Sequence, residues 1–116
     1  MQYLLLIFHN EVETAKRSEA EATAWTAEYG AFTQEIIQGG QFKGADRLRP
    51  SSTATTVRVR DGKTLTTDGP FAETREQLGG YYLIEAKDLD EAAALAARIP
   101  DARNGAVEVR PIWPHE

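Results

Sequence analysis

The chain contains no cysteine, so disulfides, thiolate chemistry and cysteine-ligated zinc or iron–sulfur centres are excluded from the outset. Its two histidines, His9 and His115, sit at opposite ends with no ligand spacing around them, and neither a metal nor another cofactor is expected. Positive charge is scarce: 13 Lys and Arg against 18 Asp and Glu leave a net charge of −5. A chain of that sign gains nothing from releasing counterions off a phosphate backbone, so no nucleic-acid partner is expected. Long apolar runs are missing too. The longest, Tyr3 to Phe8, is too short to span a bilayer and lacks the basic start and cleavage site of a signal peptide. No membrane association and a cytoplasmic location are the expectation. Phosphate-binding glycine loops and the Gly-x-Ser-x-Gly nucleophile elbow are also absent.

What is present suits one folded domain spanning residues 1–116. Apolar residues make up 41% and charged residues 27%, ordinary values for a globular chain. A domain of this length buries about two-thirds of its unfolded surface, enough for a core without staples.

Tyr3-Leu4-Leu5-Leu6-Ile7-Phe8 is apolar at every position. A strand with one wet face alternates; this one does not, so it reads as a central strand covered on both faces. His9 to Arg17 is polar and aperiodic and reads as a loop. Ser18-Glu19-Ala20-Glu21 has the form of a capping box, and Ala22, Trp25, Tyr29, Phe32 and Ile36 then form one helical stripe ending at Gly39-Gly40. A short, irregular strand is expected from Phe42 to Pro50. Thr53 to Arg60 and Lys63 to Thr67 flank Asp61-Gly62, a signal for a hairpin with a type I′ turn. Gly79 to Ala86 reads as a strand with Tyr81 and Tyr82 on opposite faces. Asp88 caps a short alanine-rich helix that stops before Pro100, and Ala106 to Ile112 is a last strand whose Pro111 suits an edge.

The fold class is therefore α+β, a ferredoxin-like βαββαβ plan with an added hairpin strand. Such a plan puts both helices on one sheet face. Two-sided apolar strands then require a cover for the other face, and a second copy packed sheet to sheet supplies it.

The densest polar cluster runs from Asp68 to Tyr82. Asp68, held by a Gly-Pro turn beside Phe71, has the environment of a carboxylate whose pKa burial could raise for acid–base work. The same pattern also reads as a turn in which Asp68 merely caps its own backbone. Arg75 suits an ion pair or a ligand anion, Tyr82 a pocket wall, and His9 a proton carrier at the end of the first strand. Trp25 and Tyr29 could line a ligand pocket, but at helical spacing they read first as core.

These segments together resemble the YCII-related family, in its DGPF branch. The resemblance rests on Asp68-Gly69-Pro70-Phe71, an opening Tyr-x-x-Leu-Ile at Tyr3 to Ile7, and the runs Ala27 to Phe32, Thr55 to Lys63, Glu76 to Ile84 and Val107 to Pro111. It implies a homodimeric α+β barrel with a small-molecule cleft near the Asp-bearing turn, and cofactor-independent chemistry such as dehydrochlorination in some relatives. It further implies a catalytic pair formed by the Asp of that turn, here Asp68, and a histidine on the first helix. Ser18 to Gln38 holds no histidine. The resemblance also implies a link to sigma-factor signalling, so a second expectation is a non-catalytic regulatory partner of another protein.

Overall fold

The computed structural model describes residues 1–114; His115, weighed above as a metal ligand, lies outside the described residues. Four strands form an antiparallel sheet: β1 (Gln2–His9), β2 (Phe42–Arg47), β5 (Gln77–Glu85) and β6 (Ala106–Pro111), in the spatial order β2-β5-β1-β6. Helix α2 (Glu19–Gln38) links β1 to β2, and α3 (Leu89–Ala96) links β5 to β6. This is an α+β architecture compatible with the ferredoxin-like plan. Pro111 ends β6, an edge strand, where a missing backbone donor breaks no ladder.

Parity along β1 and β5 sorts the core. Tyr3, Leu5 and Ile7 are buried together with Tyr82 and Ile84 of β5, Phe32 and Ile36 of α2, and Ala92, Leu95 and Ala96 of α3. Leu4, Leu6 and Phe8 alternate with them and are only half-buried, as are Tyr81 and Leu83. Cross-strand register places Leu4 against Leu83 and Leu6 against Tyr81, so these residues form one continuous apolar patch on the second face. Among the described residues, no buried side chain of β1 or β5 belongs to that face.

Helix ends follow the local chemistry. At the start of α2, the Glu21 amide donates to Ser18 Oγ (3.1 Å) and the Ser18 amide donates to Glu21 Oε1 (3.2 Å), closing the capping box. These bonds hold the Glu21 carboxyl below its ordinary value. Ser18→Ala is expected to cost about 1 kcal/mol in a urea or thermal melt. Asp88 caps α3 by accepting from the Glu91 amide at 2.9 Å. Between β1 and α2 the chain is not a loop throughout. A short helix, α1 (Glu11–Ala15), forms because Asn10 Oδ1 accepts from the Glu13 amide at 3.0 Å.

Strands β3 (Thr55–Arg60) and β4 (Lys63–Asp68) turn at Asp61 (φ 52°) and Gly62 (φ 74°), the left-handed pair that a type I′ turn demands. They do not extend the main sheet. They pair only with each other, as a separate two-stranded ribbon whose side chains are almost all exposed. Arg58, Arg60 and Lys63 stand among its threonines, and Val57, Val59 and Leu65 remain exposed between them. The ribbon projects as an arm. The radius of gyration, 16.2 Å, exceeds the roughly 13 Å of a compact chain of this length. Its base is tied down: the Gly69 amide donates to the Ala54 carbonyl at 2.7 Å, and Glu11 of α1 accepts from the Ser51 amide and hydroxyl, both at 2.7 Å.

No helix among the described residues is long and apolar enough to cross a membrane.

Candidate functional site

A cleft of about 580 Å³ opens between the N-terminal half of α2, α1 and the main sheet. Its origin lies in three local features. Phe32 and Ile36 are the buried residues of α2, so the helix seats its C-terminal half on the sheet. Its other half presents Trp25 and Tyr29, half-buried and too large to let the helix close down. Opposite them, on the same side of β5 as Tyr82, stands Gly80, which offers no side chain. A Cβ there would lie 2.8 Å from the Asp46 carbonyl, so the close pairing of β2 with β5 keeps that place empty.

The inner wall is polar and hydrogen-bonded. Tyr29 donates its phenol proton to Asp101 Oδ2 at 2.5 Å. Asp101 follows α3 in a 3-10 turn (Pro100–Ala102) and is 6% exposed. The Thr33 hydroxyl donates to the Tyr29 carbonyl at 2.8 Å, which spends its single proton. Its oxygen therefore accepts from Tyr82, 2.7 Å away. Burial and the Asp101 carboxylate together push the Tyr29 phenol far above the ordinary tyrosine range, and burial raises that of Tyr82. Both phenols are fixed as neutral donors to the protein. Edge-on packing of Phe32 and Phe42 on Tyr82, with centroids 5.3 and 6.4 Å away, holds that ring in place.

The outer wall is different. The Arg17 guanidinium lies 4.1 Å from the centroid of Trp25, and that of Arg103 lies 5.3 Å from it. Arg47, exposed at the end of β2, completes a cationic rim. Asp46 also lines the cleft, but its carboxylate accepts from the Tyr81 phenol at 2.5 Å. His9 ends β1, and its Nδ1 lies 3.0 Å from Thr14 Oγ1. The imidazole covers Gly79, where a Cβ would stand 2.5 Å from Nε2.

The structure thus brings His9 and Tyr82 to one cleft. It places Asp68 at the exposed base of the arm, and Phe71, 73% exposed, outside the cleft under the Arg58 guanidinium (4.8 Å to the ring centroid). Arg75 is exposed in the loop before β5 and also stands apart. Of the two readings of Trp25 and Tyr29, pocket wall and core, both residues line the cleft, and Tyr29 also packs against the core. Asp101 and Thr33 escaped the sequence reading. The one available signal was a lone carboxylate in the apolar run Ile99-Pro100-Asp101-Ala102. Among the described residues, no group of three or more His, Asp or Glu side chains converges to hold a metal ion.

Comparison with known proteins agrees with the resemblance noted in the sequence. An uncharacterized protein of Rhizobium meliloti (strain 1021) is 37% identical over 114 residues, covering 97% of this chain and 92% of that protein. The model of the YCII-related domain matches residues 1–116. The chain belongs to the YCII-related family.

Proposed function

We propose that this YCII-related chain is a homodimeric protein that binds a small cyclic molecule in the cleft beneath α2 and carries out proton transfer on it without a cofactor. The observation that carries this reading is the cleft: about 580 Å³, walled by Trp25, Tyr29 and Ile7, with a few convergent polar groups. That volume and that mixture are those of small-ligand sites. His9 supplies a proton carrier at the wall. Asp68, Phe71 and Arg75 stand outside the cleft of their own protomer, so their part in ligand handling runs through the pairing of two copies. The projecting arm bears Asp68 and exposes Val57, Val59 and Leu65, which favours contact with another chain.

A thermal-shift screen of cyclic and aromatic metabolites tests the reading. Compounds that raise the melting temperature should bind Trp25→Ala about tenfold more weakly, since the lost ring contributes on the order of 1–2 kcal/mol of contact. Hits that bind this variant as tightly as the native chain place the ligand elsewhere. Asp68→Asn is expected to remove turnover while leaving the melting temperature nearly unchanged, because the carboxylate is exposed. A large fall in melting temperature instead assigns Asp68 to the structure of the turn. The reading as a regulatory partner of another protein rests on the same exposed arm. It gains ground if a stoichiometric protein partner is captured and no small molecule shifts the melt.

A further inference from the structure

Two arginines line the cleft without a carboxylate partner, on a chain whose 18 acids outnumber its 13 bases. Arg17, half-buried, lies 4.1 Å from the Trp25 ring centroid and forms no ion pair among the described residues. Glu21 is close enough for its carboxyl to feel the Arg17 charge, yet it accepts from the Ser18 amide and closes the capping box. Arg103, the second guanidinium near Trp25, is neutralised by Glu28 at 2.5 Å. Of the two cations on that ring, Arg17 is the one left without an acid.

Arg47 enters from the sheet side. Ala45 pairs with Tyr82 and packs against the core, so Arg47, two residues on, projects from the same sheet face, the one α2 covers. Its cross-strand partner is Gly80, which puts no side chain in front of it. Arg47 also forms no ion pair among the described residues. The acids that line the cleft leave both arginines unpaired. Asp46 points to the other sheet face, where its carboxylate accepts from Tyr81. Asp101 accepts from Tyr29 through Oδ2, and its Oδ1 is shut off from solvent. Two like charges that share a cleft are stabilised by an anion between them, and a guanidinium presents parallel N–H donors matched to a carboxylate.

We propose that the cleft is a carboxylate receptor: Arg17 and Arg47 donate to the carboxylate of a small cyclic acid, whose ring lies against the apolar wall of Ile7 and Ala45. The inference rests on the cleft being the ligand site and adds the chemical class of the ligand.

Calorimetric titration of the native chain with three probes on one ring tests it. They are 2-naphthoate, 2-naphthamide, which keeps the shape and loses the charge, and 2-naphthylmethylamine, which reverses it. Naphthoate should bind at least about tenfold more tightly than naphthamide, the scale of one hydrogen bond to a charged group. The amine should bind weakest. Arg17→Gln and Arg47→Gln should each shrink the preference for naphthoate to about threefold or less. Their melting temperatures should stay near native, because both side chains reach solvent. Lys87→Gln removes an exposed charge outside the cleft and should leave the preference unchanged. The native ratio decides the matter even if an arginine variant does not fold. Equal binding of naphthoate and naphthamide overturns the carboxylate receptor but leaves the cleft reading standing, provided Trp25→Ala weakens both. A preference that survives both arginine variants, or falls equally in Lys87→Gln, overturns the receptor too. Absence of binding by all three probes does the same. If the metabolite screen is also blank, the cleft reading falls with it.

Discussion

On the proposed sheet-to-sheet pairing of two copies, Leu83→Asp is expected to convert a dimer of twice 12.8 kDa into a monomer at micromolar concentration, read by sedimentation velocity. Leu83 stands on the sheet face on which, among the described residues, no side chain of β1 or β5 is buried, opposite Leu4 and one alternate position from Tyr81. A two-fold pairing of those faces would bring each introduced carboxylate into an apolar layer beside its own copy. Each loses its water without gaining a partner. A cost of about 2 kcal/mol per copy, conservative for a buried unpaired charge, raises the dissociation constant roughly a thousandfold. The fold of one protomer should survive, because Leu83 is half-buried and belongs to the outer face rather than to the core. A native chain that sediments as a folded monomer at that concentration removes the paired-sheet reading, and with it any route for Asp68 to a partner's cleft.

That face was legible in the sequence because strand parity is rigid. Six apolar residues in a row cannot all point one way, so Tyr3 to Phe8 had to place three of them on each side of the sheet. The Asp61-Gly62 turn was legible for an equally local reason, the positive φ that few residues tolerate. The ribbon's detachment from the sheet was not. Strand pattern says that Thr55 to Asp68 pairs with itself, but only the edges already taken in three dimensions say whether it also joins a larger sheet. Helix α1 was missed because five residues carry no measurable period; its signal was the single cap Asn10. The candidate site was the least legible part. Trp25 and Tyr29 follow the same stripe as Phe32 and Ile36, and nothing local says where a helix lifts away from its sheet. That depends on Gly80, some fifty residues distant in the chain, withholding a side chain. Asp101 and Tyr29 are likewise far apart in sequence, so their short hydrogen bond exists only once α3 and its following turn have packed. Asp68, by contrast, drew attention through a motif that fixes a turn, and the turn lies on the arm rather than in the cleft.

Leu5→Ala should be the most damaging single truncation of the apolar core, lowering the unfolding free energy by about 3–4 kcal/mol. Leu5 is 0% exposed at the centre of β1, between Tyr82 of β5 and Val109 of β6. Central strands with partners on both sides cannot shift to refill a void, so most of the cavity should persist. At the heat-denaturation entropy typical of a chain this long, the loss corresponds to a fall of about 12–16 °C in melting temperature. Leu4→Ala makes the control. It removes the same atoms one residue away, but from the outer face, where the side chain is only half-buried. Its effect should therefore depend on protein concentration, small when dilute and larger when the paired state is populated, since it acts on association rather than on the protomer's core. Leu5→Ala should lower the melting temperature by the same amount at every concentration. If both variants lose equally and without concentration dependence, the two faces of β1 are equivalent within one chain, and the alternation that organises this fold does not divide its energetics.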